Sequence, residues 1–359
     1  MKLKNILSIF CFLAVMASCS MEDDILDNNA SVVIPQEGNA YVSVTVGLGD
    51  VQTKATTGST DPITTNPNDR DYIDRCAIFL LDENENVVGV HAESYGDYQS
   101  TRNVKFLTKY GVAKTAVAVV DYDPYAPEVL LACSSLQALE NYKESNAYNR
   151  IKFGTGNVNW TGVVGSTSTK DESADNVAQI SPITVYNRVA VVELAGLSVK
   201  YTSDKEPEVQ LTKVWLTNLK VKGGWEEDTE EATGSFRFND NAAYYGLPAA
   251  PGLYGNRPGG VSQILTYVYP NTIGGKYVTL HLEFSVTENG ITKLHEREYI
   301  INRPTGDGFV NNNDGHTYVE PGFWYKLYAT VNVKSDFVDC DVVCYTRDWV
   351  YNKLEDVTL

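Results

Sequence analysis

The chain has 359 residues, which as a first expectation corresponds to about two domains. Hydrophobic residues make up 43% and charged residues 21%, which is typical of globular proteins and argues against disorder over the whole chain. A formal net charge of −17 argues against DNA and RNA as partners, because a polyanion-binding protein needs a basic surface. Short runs rich in Val, Thr and Tyr, separated by 27 Gly and 13 Pro, favour strands and turns over a helical bundle, a coiled coil or a polytopic membrane protein.

The N-terminal segment has the features of a secretory signal. Lysines at positions 2 and 4 precede an apolar run over residues 6–16, which is too short to span a bilayer as a helix. The small residues Ala17 and Ser18 stand directly before Cys19, a pattern that resembles the lipobox of bacterial lipoproteins. We therefore predict a lipoprotein signal peptide over residues 1–18 and lipidation of Cys19. The alternative is an ordinary signal followed by an incidental cysteine.

The residues after Cys19 bear on localisation. Ser20 is followed by Met21 and by acidic residues at positions 22–24, which resembles the export signal that carries Bacteroidales lipoproteins to the cell surface. A flexible acidic tether explains the same composition. We expect a surface-exposed protein of the outer membrane, tethered through the lipid on Cys19.

The first predicted strand covers residues 41–48. Its apolar residues Val42, Val44, Val46 and Leu48 alternate with polar or small ones, so all four share one face of the strand. A polar stretch follows at residues 53–69. Loops of this length are uncommon inside compact domains and are usually functional or disordered.

The rest of the chain is predicted to be rich in strands. Buried strands are expected near residues 73–81 and 115–121, and a helix over 133–143 with a capping box formed by Ser134 and Gln137. A second series of about seven strands begins near residue 182, where we place a domain boundary. Turns are predicted at Gly223-Gly224 and, as a hairpin, at Asn289-Gly290. Regular strands and turns of this kind suggest a β-sandwich.

Four cysteines follow the lipobox: Cys76, Cys133, Cys340 and Cys344. An even count in an oxidising compartment permits disulfides, and the sequence leaves their state open. Cys340 and Cys344 fall on one face of a predicted strand, too far apart along it to bridge each other.

The sequence lacks the common catalytic motifs. The chain contains no G-x-S-x-G, P-loop, H-E-x-x-H or C-x-x-C motif, so we predict neither an enzyme nor a cofactor. His281 and Glu283 share a strand face, as do Glu296 and Glu298, and such pairs can begin a metal site. A solvated strand face is the better interpretation, because no third ligand has a recognisable spacing. We predict no metal site.

Several segments in order resemble the Bacteroidales fimbrillins, the FimA-type subunits of type V pili. They are MASC at 16–19, VSVTVGL and QTKA at 42–55, VYNRVAVVELAGL at 185–197, WYKLYATVNV at 324–333 and CDVVCYTRDW at 340–349. The resemblance covers nearly the whole chain. It implies an all-β protein with two transthyretin-like β-sandwich domains and a few short helices. On this chain the N-terminal domain would be residues 55–181 and the C-terminal domain residues 182–348.

The resemblance also implies a mode of assembly. In that family a trypsin-like, arginine-specific protease cuts after the first strand, and a strand from a neighbouring subunit fills the groove that opens. Here the scissile bond would join Lys54 and Ala55, and residues 19–54 would be a propeptide. The donor would be the tail at 349–359, with its apolar residues Leu354, Val357 and Leu359. The partners would be copies of the chain or related fimbrial subunits, and adhesion would involve host or bacterial surface ligands.

Residue 54 departs from the family pattern, because lysine stands where arginine is typical. A protease that relies on the planar guanidinium can reject lysine, so the chain could also be an uncleaved anchor or tip component. A third hypothesis is a monomeric surface lipoprotein that binds carbohydrate. Five tryptophans could provide its stacking platforms, although core packing is the commoner role: Trp160, Trp215, Trp225, Trp324 and Trp349.

Overall fold

The structure is a computed structural model that describes residues 32–33, 39–49, 72–97, 99–164, 176–201, 207–225, 233–237, 265–271, 277–301, 319–334 and 337–348. Residues 1–31, the Lys54-Ala55 bond and the tail at 349–359 lie outside these ranges. The predictions for Cys19, Lys54, Leu354, Val357 and Leu359 therefore concern residues that the structure does not describe.

The first half of the chain forms short strands with two short helices between them. The described strands are β1 (Val32–Val33), β2 (Ala40–Leu48), β3 (Arg75–Leu81), β4 (Val87–Ser94), β5 (Thr101–Thr108), β6 (Thr115–Val120), β7 (Lys143–Glu144), β8 (Lys152–Asn159), β9 (Val177–Ile180) and β10 (Ile183–Asn187). The helices are α1 (Pro127–Leu131) and α2 (Leu136–Asn141), and a 3-10 turn follows at Ala147–Asn149.

Most of these strands form one sheet in the order β1-β4-β3-β6-β8-β10-β2-β5, with β9 paired to both β2 and β8. The sheet folds around a hydrophobic core, because Val44 of β2 and Val104 of β5 belong to the same buried cluster as Ile78 of β3 and Ala118 of β6. We call this cluster the N-terminal core. The outer face of β3 and β6 is also apolar, so these two strands are buried on both sides.

The second half of the chain consists of longer strands. Those described are β11 (Ala190–Tyr201), β12 (Glu208–Lys220), β13 (Gly223–Gly224), β14 (Thr233–Arg237), β15 (Leu265–Val268), β16 (Thr279–Glu288), β17 (Ile291–Ile300), β18 (Phe323–Lys334) and β19 (Phe337–Asp348). One sheet has the order β15-β11-β18-β19 and the other β14-β12-β16-β17. Side chains of both sheets meet in one buried cluster, so this half is a β-sandwich.

A third buried cluster joins the two halves. On one side it contains Phe79 and Val117 from the outer face of the N-terminal sheet, and on the other Val191, Tyr269 and Trp324. A hydrogen bond of 3.1 Å between the hydroxyls of Tyr148 and Thr266 lies at the same boundary. The two halves therefore pack against each other through buried apolar side chains.

Gly223-Gly224 does not form the predicted turn. The two glycines are strand β13, which pairs antiparallel with β7 in the other half of the chain. A Cβ atom on Gly223 would lie 2.1 Å from the Tyr269 ring, and one on Gly224 would lie 2.2 Å from the Tyr142 carbonyl oxygen. Without side chains, Gly223 can pack against the Tyr269 ring and Gly224 against the Tyr142 backbone. A Gly-Gly pair in the sequence does not distinguish this packing role from a turn.

Strand β10 begins at Ile183 and pairs with β2 and β8, so the N-terminal sheet extends to Asn187, a few residues past the boundary expected near residue 182. Helix α2 is shorter than predicted, and its cap is Ser135, whose Oγ accepts a hydrogen bond from the Ala138 N–H. The adjacent Ser134 instead uses its carbonyl to accept the Val87 N–H.

The all-β prediction is confirmed, since the described elements are strands apart from the two short helices and the 3-10 turn. The Asn289-Gly290 hairpin is also confirmed. The two residues have φ of 52° and 76°, and β16 and β17 pair directly across them. Positive φ at both positions is the requirement that makes Asn-Gly a strong hairpin signal.

Candidate strand-exchange site

Strand β2 lies inside the N-terminal sheet and not at its edge. On one side it pairs antiparallel with β5 from Ala40 to Gly47. On the other side it pairs in parallel first with β9, beginning at Tyr41, and then with β10, ending at Leu48. Removing β2 would therefore leave β5 without its described neighbour and would expose the edges of β9 and β10.

The inward face of β2 is as apolar as the sequence predicts. Val42 and Val46 are 0% exposed and Val44 is 2% exposed, while Leu48 is half-buried. All four contact the N-terminal core. Burying a valine side chain is worth ~1.5–3 kcal/mol, so β2 makes a large apolar contribution to this half of the chain.

Both ends of β2 are held by backbone hydrogen bonds. The Asn39 N–H donates to the Thr108 carbonyl at 3.0 Å, and the Gly49 N–H donates to the Val185 carbonyl at 2.8 Å. Gly49 lies so close to β10 that a Cβ atom there would be 2.6 Å from the Thr184 side chain. The chain thus leaves the sheet at a tightly packed point, and the polar stretch at residues 53–69 follows later in the sequence.

The outward face of β2 makes weaker contacts. The Thr45 hydroxyl donates to the Asn103 side-chain carbonyl at 2.7 Å, and the Lys105 ammonium lies 5.0 Å from the centre of the Tyr41 ring. Exposed contacts of this type contribute little. The interactions that stabilise β2 in the sheet are therefore mainly the burial of its inward face and its backbone hydrogen bonds to β5, β9 and β10.

Strand β1 was missed by the sequence analysis. Val32 and Val33 pair antiparallel with Ala92 and His91, at the edge of β4. The apolar triplet Val32-Val33-Ile34 was the available signal, but it is too short for periodicity to identify. Because β1 and β2 both precede Lys54, one cut there would separate two strands from the rest of the chain.

The predicted cleavage bond lies in the connection between Gly49 and Tyr72. Residues 50–71, which include Lys54 and Ala55, are outside the described part of the chain. At the C-terminal end of the sequence, the predicted donor tail follows β19. That strand is the last one in the described order of its sheet and pairs along its whole length with β18.

The residues considered as metal ligands belong to a polar sheet surface. His281 Nε2 lies 2.9 Å from the Thr217 hydroxyl, and His281 Nδ1 lies 3.4 Å from Glu296 Oε1. Glu283 instead pairs with Lys213 at 2.9 Å. Within the described ranges, no three His, Cys, Asp or Glu side chains are grouped so that they could hold an ion.

Four tryptophans lie in the described part of the chain, and each has packing partners. Trp324 is 3% exposed and its indole N–H donates to Glu193 at 3.0 Å. Trp160 donates to the Ala113 carbonyl at 2.6 Å. The other two are half-buried and contact one aromatic ring each: Trp215 stacks on His281, and Trp225 packs on Phe153. These contacts agree with the packing role that the sequence analysis preferred.

Cys76 and Cys133 are free thiols, and Cys76 is buried in the N-terminal core. Burial, with smaller contributions from the nearby Asp121 and Glu93 carboxylates, raises the pKa of the Cys76 thiol far above its ordinary value. That side chain therefore packs as a small apolar group. The helices among the described residues include none long and apolar enough to cross a membrane.

Comparison with solved structures identifies the fold. A putative cell adhesion protein from Parabacteroides distasonis matches with a TM-score of 0.56 and 14% identity, over 88% of this chain and 98% of that one. The fimbrilin FimA from Porphyromonas gingivalis matches with a TM-score of 0.54 and 16% identity, over 88% and 99% of the two chains.

The chain has the fimbrilin fold. A putative cell adhesion protein from Bacteroides eggerthii also matches, with a TM-score of 0.54 and 14% identity, over 88% of this chain and 97% of that one. The resemblance noted in the sequence is therefore confirmed at the level of the fold. No protein-family model matches the sequence, and no curated protein does so either.

Proposed function

We propose that the protein is a structural subunit of a cell-surface fimbrium, exported as a lipoprotein through Cys19 and assembled by strand exchange after proteolysis. The arrangement of β2 carries this proposal. It is an internal strand with three buried valines, and it precedes the long polar stretch of sequence that contains Lys54. The fold shared with a fimbrilin and with a putative cell adhesion protein supports the same role.

The physical reason for polymerisation is the groove that loss of β2 creates. The N-terminal core would lose the apolar contacts of Val42, Val44 and Val46, and the backbone groups of β5, β9 and β10 would lose their partners. A vacant strand position of this kind binds another strand, which supplies main-chain hydrogen bonds and alternate apolar side chains together. The segment that we assign as donor is the tail at 349–359, through Val357 and Leu359.

The cut also determines the attachment of the subunit. Before cleavage the folded domains are joined to the lipid on Cys19 through residues 20–54, and after cleavage at Lys54 this covalent link is lost. A single cut therefore permits both the release of the subunit from its lipid and the later departure of β2 from the groove. A trypsin-like protease that accepts lysine is the processing partner we propose, and other copies or related subunits are the assembly partners.

Three lysine variants in the native host test this function. Lys54→Ala should abolish filaments and retain full-length chains at the cell surface, whereas Lys54→Arg should preserve both cleavage and filaments. Lys109→Ala, which changes an exposed lysine just beyond β5, should behave as the unmodified protein does. Normal filaments from Lys54→Ala would exclude maturation at this bond.

A second role is favoured by the lysine itself. If the host's protease requires arginine, the chain would remain uncut, tethered through Cys19, and would act as an anchor or tip component. In that case Lys54→Arg alone would convert a monomeric surface protein into a polymerising one. The carbohydrate-binding hypothesis receives less support, since the four described tryptophans already have packing partners.

A further inference from the structure

A lysine and an aspartate are buried together beside the N-terminal core. Lys152 is the first residue of β8, and Asp121 follows the last residue of β6, the strand next to it. Lys152 Nζ lies 2.6 Å from Asp121 Oδ2, and both side chains are 0% exposed. Burial of two full charges is expensive even when they are paired, so this pair calls for an explanation beyond stability.

The Asp121 carboxyl group is held in a fixed orientation. Its Oδ1 accepts the backbone N–H groups of Asp74 at 2.7 Å and Arg75 at 3.2 Å, so Oδ2 is the oxygen that faces the lysine. Two converging backbone N–H groups on one oxygen are the arrangement that stabilises an oxyanion in acyl transfer. Lys152 Nζ also donates to the Arg150 carbonyl at 3.0 Å, which orients the amine.

A second carboxyl group lies at the same place. Burial raises the pKa of Asp74, the Asp121 charge raises it further, and Arg150 and Arg75 oppose the rise. Its Oδ2 lies 3.2 Å from Arg150 Nη2. The Asp121 carboxylate raises the pKa of Asp74 and the Lys152 ammonium lowers it, so Asp74 interacts electrostatically with both members of the pair.

We propose that Lys152 and Asp121 condense into an intramolecular amide, which would link β8 covalently to the end of β6. The reaction requires that the Lys152 ammonium first pass a proton to the Asp121 carboxylate, which gives a neutral amine beside a carboxylic acid. The Nζ atom attacks Cγ, and the negative charge that develops on Oδ1 is held by the N–H groups of Asp74 and Arg75. The Cγ–Oδ2 bond then breaks, and Oδ2 leaves with two protons as water.

The group placed to move protons in this reaction is Asp74, whose backbone N–H donates to Asp121 Oδ1 at 2.7 Å. It takes the proton that the attacking nitrogen loses and returns it to the departing oxygen, so no net proton is gained or lost. The step needs no oxidant, metal or cofactor, because an amine and an acid give an amide and water. The product links residues 121 and 152 and closes the intervening segment, which contains α1 and α2, into a covalent loop.

The mass of the purified, folded chain tests the proposal directly. After reduction of thiols and denaturation, the intact mass should be about 18 Da below the value calculated for the processed chain, the loss of one water. Peptide mapping should recover one branched peptide that contains both Lys152 and Asp121. An unchanged mass, or a water loss that maps to another peptide, would overturn the proposal.

Two variants separate the chemistry from the packing. Lys152→Arg retains a buried cation but has no nucleophilic amine, so its mass should equal the calculated value. Asp74→Asn preserves the backbone N–H that binds Asp121 and removes only the carboxyl group. It should slow amide formation by about tenfold or more, leaving a measurable unlinked fraction in freshly made protein. Complete linkage in Asp74→Asn at the rate of the unmodified chain would remove Asp74 from the mechanism.

Discussion

Val44 of β2 lies directly opposite Val104 of β5, and each side chain is 2% exposed. The two valines hold the proposed exchangeable strand against the sheet edge. We expect Val44→Ala to lower the free energy of unfolding by about 2 kcal/mol, because it removes buried apolar surface. Thr45→Ala, one residue further along and on the outward face, should change it by less than about 0.5 kcal/mol. Urea unfolding of the two variants measures the difference.

The same pair of variants bears on exchange. If β2 is the strand that must leave, Val44→Ala should also speed its replacement by a peptide of residues 349–359 after cleavage, whereas Thr45→Ala should not. Equal replacement rates for the two variants would show that the buried face of β2 does not control exchange.

Gly224 provides a test of the contact between the two halves of the chain. An added Cβ would lie 2.2 Å from the Tyr142 carbonyl oxygen, and a backbone atom cannot move away cheaply. We expect Gly224→Ala to destabilise the protein by about 1–3 kcal/mol and to increase amide exchange in β7 and β13. Gly47→Ala is the matched control, since its nearest neighbour would be the Thr101 hydroxyl at 3.8 Å.

Gly290 tests the hairpin between β16 and β17. Its φ is 76° and no atom lies within 4 Å of an added Cβ, so Gly290→Ala changes only the backbone energy. The expected loss is about 1 kcal/mol, with faster amide exchange confined to the hairpin end. Asn289→Gly, at a φ of 52°, should be close to neutral. Equal stability of both variants would contradict the assigned turn.

Glu93 gives the protein a defined response to acid. A hydrogen bond from His91 is the largest cause that lowers the pKa of Glu93 below its ordinary value of 4.5, and one from Tyr95 adds to it against the opposing effect of burial. The unfolded chain therefore binds the proton more readily than the folded chain does. The stability from Glu93 is present above pH 4.5 and is lost as the pH falls through the depressed folded value.

Glu93→Gln should therefore flatten the loss of stability below pH 4.5 while lowering stability at neutral pH. Glu83→Gln changes an exposed glutamate in the β3–β4 turn and is the control. Unfolding curves at several pH values make the comparison. If the free energy of unfolding falls as steeply with decreasing pH in Glu93→Gln as in Glu83→Gln, the assigned pKa shift is contradicted.

Local features of the fold were predictable because neighbouring residues determine them. The alternation of Val42, Val44 and Val46 predicts the buried face of β2. Asn289-Gly290 predicts the hairpin between β16 and β17, because both turn positions require a positive φ. Helix α2 was located, but adjacent serines made its cap ambiguous, and the Ser135 side chain supplies it. In these cases the physical cause lies within a few residues of the signal.

Long-range features were not predictable in the same way. The internal position of β2 depends on β9 and β10, more than a hundred residues later in the chain. Gly223-Gly224 has the composition of a turn, and only its pairing with β7 shows that the glycines permit close packing. The proximity of Lys152 to Asp121 likewise depends on strand pairing, since Lys152 is opposite Val120 in the register of β6 and β8.

The N-terminus and intact mass of subunits taken from surface filaments test the central claim most directly. The account predicts that assembled chains begin at Ala55 and therefore lack both β1 and β2, while full-length lipidated chains occur only outside filaments. Filaments built from chains that still begin at Cys19 would contradict it, because the groove in the N-terminal sheet would then still be filled by the chain's own first strand.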